Sequence, residues 1–247
     1  MSHQTSPSRT AISTSYRVRS LVLLIVLLIA LPAFGQQAYV GRFDAYAGYM
    51  YLNSPHISLA ENGFHIQTGV RVRRWLSMGF DYSRATGDTV ITPDMLLPEL
   101  QQALGAQLLQ LIKAGVIPPT YSLTVPISSV TQTITGGPQV AIHKWKAVTP
   151  FFRPALGAIH EVATPHPGDP VAAGIVKQLA PDGTKTDWTV FYGAGGGMDI
   201  NVSKHWAIRL SVDVVYDHLF DDLLKDGRGT VRFSIGPAWQ GGGNVTK

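Results

Sequence analysis

From Gly41 onward the chain alternates two kinds of connector between stretches of two-residue periodicity, and this constrains its fold more than any other feature. Eight amphipathic segments follow one another, joined in turn by a long polar loop, a tight turn, a long loop, a tight turn, a long loop, a tight turn and a long loop. Period two is the signature of a strand with two unlike faces. Short connectors at one end and long ones at the other predict an antiparallel up-and-down barrel whose two ends meet different surroundings.

The expected strands are Arg42–Leu52, Gly63–Arg73, Leu76–Arg84, Val130–His143, Ala147–Ala163, Asp187–Asn201, Trp206–His218 and Thr230–Gln240. Each reaches the length of about nine to eleven residues that a tilted strand needs to cross a bilayer. One face of each is bulky and apolar: Phe64, Ile66, Val70 and Val72 on the second, Leu76, Met78, Phe80 and Tyr82 on the third, Ile208, Leu210, Val212 and Val214 on the seventh. The other face is small, polar or charged. An eight-stranded barrel has an interior just wide enough to be filled by side chains. It cannot hold eight rows of Phe, Tyr, Leu and Val, so the bulky face is expected outward, against lipid.

The tryptophans agree with this orientation. Trp75, Trp145 and Trp206 fall at the three tight turns, Trp239 at the foot of the last strand and Trp188 at the opposite rim. Indole rings favour a membrane interface, where an apolar body and an N–H donor are both satisfied, so the five are expected to form girdles. By strict alternation the interior face holds Arg42, Arg71, Arg73, Arg153, Arg209 and Arg232 against Asp44, Asp81, Glu161, Asp199, Asp213 and Asp217. Six against six predicts paired charges that plug the barrel; a selectivity ring would show an excess of one sign.

The first 35 residues read as a leader rather than as part of the fold. Arg9, Arg17 and Arg19 precede the 11 apolar residues Leu21–Leu31, and Ala33-Phe34-Gly35 offers a cleavage site before Gln36. An apolar run of that length is well short of the roughly 20 residues of a spanning helix. Three of the 20 basic residues lie in this leader, leaving 17 against 16 acidic ones, so no basic stripe points to nucleic acid. No cysteine is present, which excludes thiol chemistry and cysteine-ligated metals. Residues 36–247 are expected to form one domain.

Between the third and fourth strands lie about 40 residues that do not read as strand, and 98–113 have helical periodicity. Leu97, Leu100, Leu104, Leu108 and Leu111 share one stripe, Pro98 suits the first turn, Lys113 the last and Gly115 a C-terminal cap. That stripe must be covered, either by the barrel mouth and outer strands or by a lipid or protein partner, with Leu100, Leu104 and Leu108 as the candidate contacts. The remaining long connections, 53–61, 164–186 and 219–229, are rich in Pro, Gly, Asp and Asn and read as exposed loops.

Candidate chemistry is sparse. His160 and Glu161 are neighbours on a strand and point to opposite faces, so they cannot cooperate. His166, and His218 with Asp217, Asp221 and Asp222, match no ligand or nucleophile spacing, so no catalytic, cofactor-binding or metal residue is assigned. Gly193-Ala-Gly195-Gly-Gly197 resembles a phosphate loop in composition only; it lies within a strand and has no helix after it, which fits close packing in the lumen.

The run Thr135–Glu161 (TGGPQVAIHKWKAVTPFFRPALGAIHE), then FYGAGGGMDINVSKHWAIRLSVDVVYDHLF and VRFSIGPAW, resembles the outer-membrane β-barrel proteins of diderm bacteria, the small eight-stranded group similar to the barrel of outer-membrane protein A. The resemblance implies residence in the cell outer membrane, lipids as neighbours, and insertion by the barrel-assembly machinery through the closing strand. Ser234, Gly236 and Trp239 fit that insertion signal, whereas Gly241 stands where an aromatic is expected. The favoured reading is a non-enzymatic protein with a plugged interior, acting in envelope structure, adhesion or surface-partner binding through its loops, above all the one between strands 3 and 4. Two other readings are a narrow passive pore and a lipid A-modifying enzyme; the second needs Ser and His near one rim on a common face, and no such motif is present.

Overall fold

The computed structural model describes residues 37–246; the expected leader and its cleavage site lie outside them. Eight strands form a closed barrel in sequence order: β1 (Gly41–Ser54), β2 (Leu59–Arg73), β3 (Leu76–Ile91), β4 (Val125–Ala141), β5 (Val148–Pro165), β6 (Lys185–Asn201), β7 (Trp206–Asp217) and β8 (Arg228–Asn244). Every neighbouring pair is antiparallel, and β1 closes the barrel against β8 with Tyr49 opposite Ile235 and Gly41 opposite Asn244. This is the eight-stranded antiparallel up-and-down transmembrane barrel that the periodicity predicts.

The two faces divide as the volume argument requires. Phe80 is 51 % exposed on the outer wall while its neighbour Asp81 is 3 % exposed inside. Arg209 is buried inside, between the outward-facing Ile208 and Leu210. Phe43, Tyr49, Phe64, Met78, Phe152, Leu156, Val190, Tyr192, Val214 and Phe233 continue the apolar belt around the cylinder. Water could not cover such a wall cheaply, and a bilayer does so without loss.

Several strands outrun the expected segments at the long-loop end. A tilted strand gains about 2.5 Å of height per residue, so about 12 residues cross ~30 Å of hydrocarbon. The 15 residues of β2, 16 of β3 and 17 of β4 therefore project beyond the belt. There the outer wall of β3 turns polar, with Arg84, Thr86 and Asp88 in place of Phe80 and Tyr82. The first long loop is correspondingly shorter than expected. Of 53–61 only a 3-10 turn, Pro55–Ile57, and Ser58 remain outside the strands, Ser58 taking the left-handed conformation at φ 50°.

The helix expected between β3 and β4 is present as α1 (Pro98–Lys113), ended by Gly115 at φ +70°. A second helix, α2 (Pro170–Leu179), lies in the connection read as a plain loop. Asp169 caps it by accepting from the backbone N–H of Val171 and Ala172 at 2.8 and 2.9 Å.

Candidate functional site

Two places concentrate chemistry, the interior of the barrel and its long-loop end, which carries a cap of loops and where the exposed Ser128 donates to Asp88 at 2.8 Å and lies 3.0 Å from His166, a rim pairing of Ser and His that no sequence motif showed. The interior is organised in three levels of ion pairs. Nearest the short turns, Arg209 donates to both Asp199 carboxylate oxygens at 2.7 and 2.8 Å and to Gln67 at 2.8 Å, and Gln67 donates on to Gln139. Arg71 lies 3.7 Å from Asp44 and donates to the Gly41 carbonyl at 2.7 Å. The Arg209 guanidinium also sits over the rings of Phe151 and Tyr46, 4.9 and 5.6 Å from their centres.

At mid-barrel Arg153 and Arg232 share two carboxylates. Arg153 reaches Asp81 at 2.9 Å and Asp213 at 2.9 and 3.1 Å; Arg232 reaches Asp213 at 2.9 Å and Asp81 at 3.4 Å. His65 completes the level, 3.5 Å from Asp81 and 3.1 Å from the Ser234 hydroxyl. Gly195 makes room for this cluster: a Cβ there would stand 1.7 Å from Asp213 Oδ1. Gly193 and Gly197 serve a different need, since a Cβ at either would strike the β7 backbone at Val214 or Leu210.

The third level lies toward the loops. Arg228 bonds Glu161 at 2.6 Å and Asp217 at 3.3 Å, and Ser129 donates to Glu161 at 2.8 Å. Glu61 is buried among them with Oε1 unpartnered. All eight lumen residues singled out from the sequence (Asp44, Arg71, Asp81, Arg153, Asp199, Arg209, Asp213 and Arg232) thus meet an opposite charge inside the barrel.

The expected six-against-six balance needs correction. Arg42 and Arg73 are exposed, because register shifts between Gly41 and Phe43 and between Arg71 and Arg73 flip the alternation beside each. Arg228 and Glu61 face inward instead, on strand ends that reach past the expected boundaries. The interior holds seven carboxylates and five guanidiniums, and the third level carries the acidic excess. The interior is also less uniformly polar than expected. Ala155, Ile159, Phe191 and Val215 form an apolar patch that continues upward into Leu219 and Phe220 of the last long loop.

The cap is built on that patch. Leu97 N–H donates to the Leu223 carbonyl at 2.8 Å and Lys225 N–H to the Met95 carbonyl at 3.1 Å, joining the loop before α1 to the loop after β7. Leu104 of α1 is buried in one cluster with Ala172 and Ile175 of α2, Leu123 just before β4 and Val125 at its start, and Leu100 and Leu108 pack on the same cluster. The stripe of α1 is therefore covered within the cap, by α2 together with the approach to β4 and the loop after β7. Tyr121, in the connection from α1 to β4, is tied to the cap of α2 by donating to Asp169 at 2.9 Å. That carboxyl is held below its usual range, first by the Ala172 N–H, and burial beside it pushes the Tyr121 phenol up to about 12. Beneath the helices an apolar cavity of about 120 Å³ remains.

The tryptophans lie on the outer wall. Trp206 and Trp239 are cross-strand partners, Trp75 sits in the β2–β3 turn, Trp145 in the β4–β5 turn, and Trp188 at the far end stacks on His160 at 4.5 Å. His160 and Glu161 point to opposite faces, and His218 is exposed whereas Asp217 is buried on Arg228. Among the described residues no group of three or more His, Asp or Glu converges to hold a metal ion.

No protein-family model matches the chain, and no curated protein matches it. Among solved structures it is similar to small outer-membrane barrels. Ail, the attachment invasion locus protein of Yersinia pestis, is 11 % identical, with 81 % of this chain and 97 % of that one covered at a TM-score of 0.43. Neisserial surface protein A is 11 % identical, with 80 % and 95 % covered at 0.44. OprG from Pseudomonas aeruginosa is 9 % identical, with 83 % and 97 % covered at 0.43. Scores of this size carry nothing about activity, and the barrel assignment rests on the pairing of this chain's own strands.

Proposed function

We propose that the protein is a non-enzymatic integral outer-membrane barrel whose lumen is closed, and whose loop cap acts in envelope structure or in binding a surface partner. The observation that carries this reading is the stack of three buried ion-pair levels. An unpaired charge in so narrow a lumen is costly, every lumen charge except Glu61 has an opposite charge within 3.7 Å, and the pairs occupy the path an ion would take. Lipids contact the apolar belt, the five tryptophans mark its edges, and the closing strand carries the signal for the barrel-assembly machinery.

Purified full-length protein in a planar bilayer tests the closure directly. It is expected to give no resolved conductance steps. Cation-selective steps would favour the narrow-pore reading instead, for which the acidic excess around Arg228 is the supporting observation. Lipid A from cells with and without the protein is expected to have the same mass; a mass difference would point to a lipid-modifying enzyme.

A further inference from the structure

The cavity under the two loop helices offers nothing to water. Leu104 of α1, Ile175 of α2, Leu96, Leu123, Phe220 and Leu224 form most of its wall. Thr92 apart, the polar side chains that reach it are bonded elsewhere. The Thr89 hydroxyl donates to the Ile57 carbonyl at 2.6 Å, Glu161 is held by Arg228 and Ser129, and Lys185 is paired with Asp222. A buried water needs two to four polar partners, and apolar cavities of about 150 Å³ in proteins stay dry and take up benzene. Its wall is also braced, since α1, α2 and the loop after β7 are tied by the Leu97–Leu223, Lys225–Met95 and Tyr121–Asp169 bonds and cannot simply fall inward.

We propose that this cavity is a binding site for a free, uncharged apolar molecule of single-ring size. Its volume of about 120 Å³ suits such a ring. A lipid tail is the poorer occupant. Thr89 and Ile91 line the cavity, and between them and the belt the outer wall of β3 carries Asp88, bonded to Ser128 at 2.8 Å, with Val90 above it. A chain rooted in the bilayer would have to cross that polar collar. The site is independent of whether the lumen conducts, because a leaky lumen leaves the loop cavity in place.

Toluene is the probe. The full chain in lipid nanodiscs, with Leu, Ile and Val methyls labelled for NMR, is titrated against it, with empty nanodiscs as the partition control. Expected are saturable shifts and toluene cross-peaks at Leu104, Leu123 and Ile175, while belt methyls such as Leu156 drift without saturating. Leu104→Phe and Ala163→Leu fill the cavity from opposite walls, and either is expected to weaken the saturable binding at least about tenfold. If Leu104→Phe fails to fold, Ala163→Leu from the barrel wall still reads the site. Absence of saturation, water cross-peaks at Leu104, or cross-peaks from lipid terminal methyls in place of toluene would each overturn the proposal.

Discussion

Asp213 accepts from two arginines on different strands while wholly withdrawn from solvent. Removing one partner of such a network leaves the other charges buried and unmatched. Asp213→Ala is therefore expected to cost about 3–5 kcal/mol, read as a lower urea midpoint for the folded barrel in liposomes. Arg42→Ala and Arg73→Ala, at positions that strict alternation would place in the same lumen, are expected to stay within about 0.5 kcal/mol because both side chains are exposed. The contrast shows how far side-chain parity can be read. Asp81, Arg153 and Arg209 lie inside the barrel, and no register shift falls beside them. Alternation fails at Arg42 and Arg73 because a one-residue slip leaves no mark in composition, and at Glu61 and Arg228 because a polar strand end looks like a loop.

At the scale of elements, α1 was legible and α2 was not, although their signals are comparable. Asp169-Pro170 is a cap followed by a first-turn proline, and Val171, Ala172, Ile175, Val176 and Leu179 make a helical stripe. The Pro and Gly content of 164–186 masks it. The Asp169 cap also gives the loops a pH dependence. Its carboxyl is depressed in the fold, chiefly by the Ala172 N–H, so the stabilisation is present above the ordinary carboxylate pKa. It is lost as pH falls through the depressed value. Proteolytic nicking within 166–184 is expected to rise severalfold in strong acid, and Asp169→Ala is expected to show the same fast cleavage already at neutral pH. Leu104→Ala, at the centre of the helix-to-helix contact, is expected to loosen the cap by about 2 kcal/mol, seen as faster amide exchange in both helices.

Strand number, order and facing were the most readable features of the whole molecule, since lipid outside and ion pairs inside force a pattern onto every strand. Phe80→Arg puts a charge on that outer wall, and insertion into bilayers is expected to weaken by about 2–4 kcal/mol, measured as the fraction folded across a urea titration. Where β1 meets β8, Val245 N–H donates to the Val40 carbonyl at 2.9 Å, so the run of strands begins and ends side by side at the short-turn rim. The junction is an antiparallel pairing like the others, interrupted only by the register shift beside Gly41. A circular permutant that joins positions 40 and 245 with a brief linker, and is cut between 202 and 205, would run β7, β8, then β1 through β6 and still close the same cylinder.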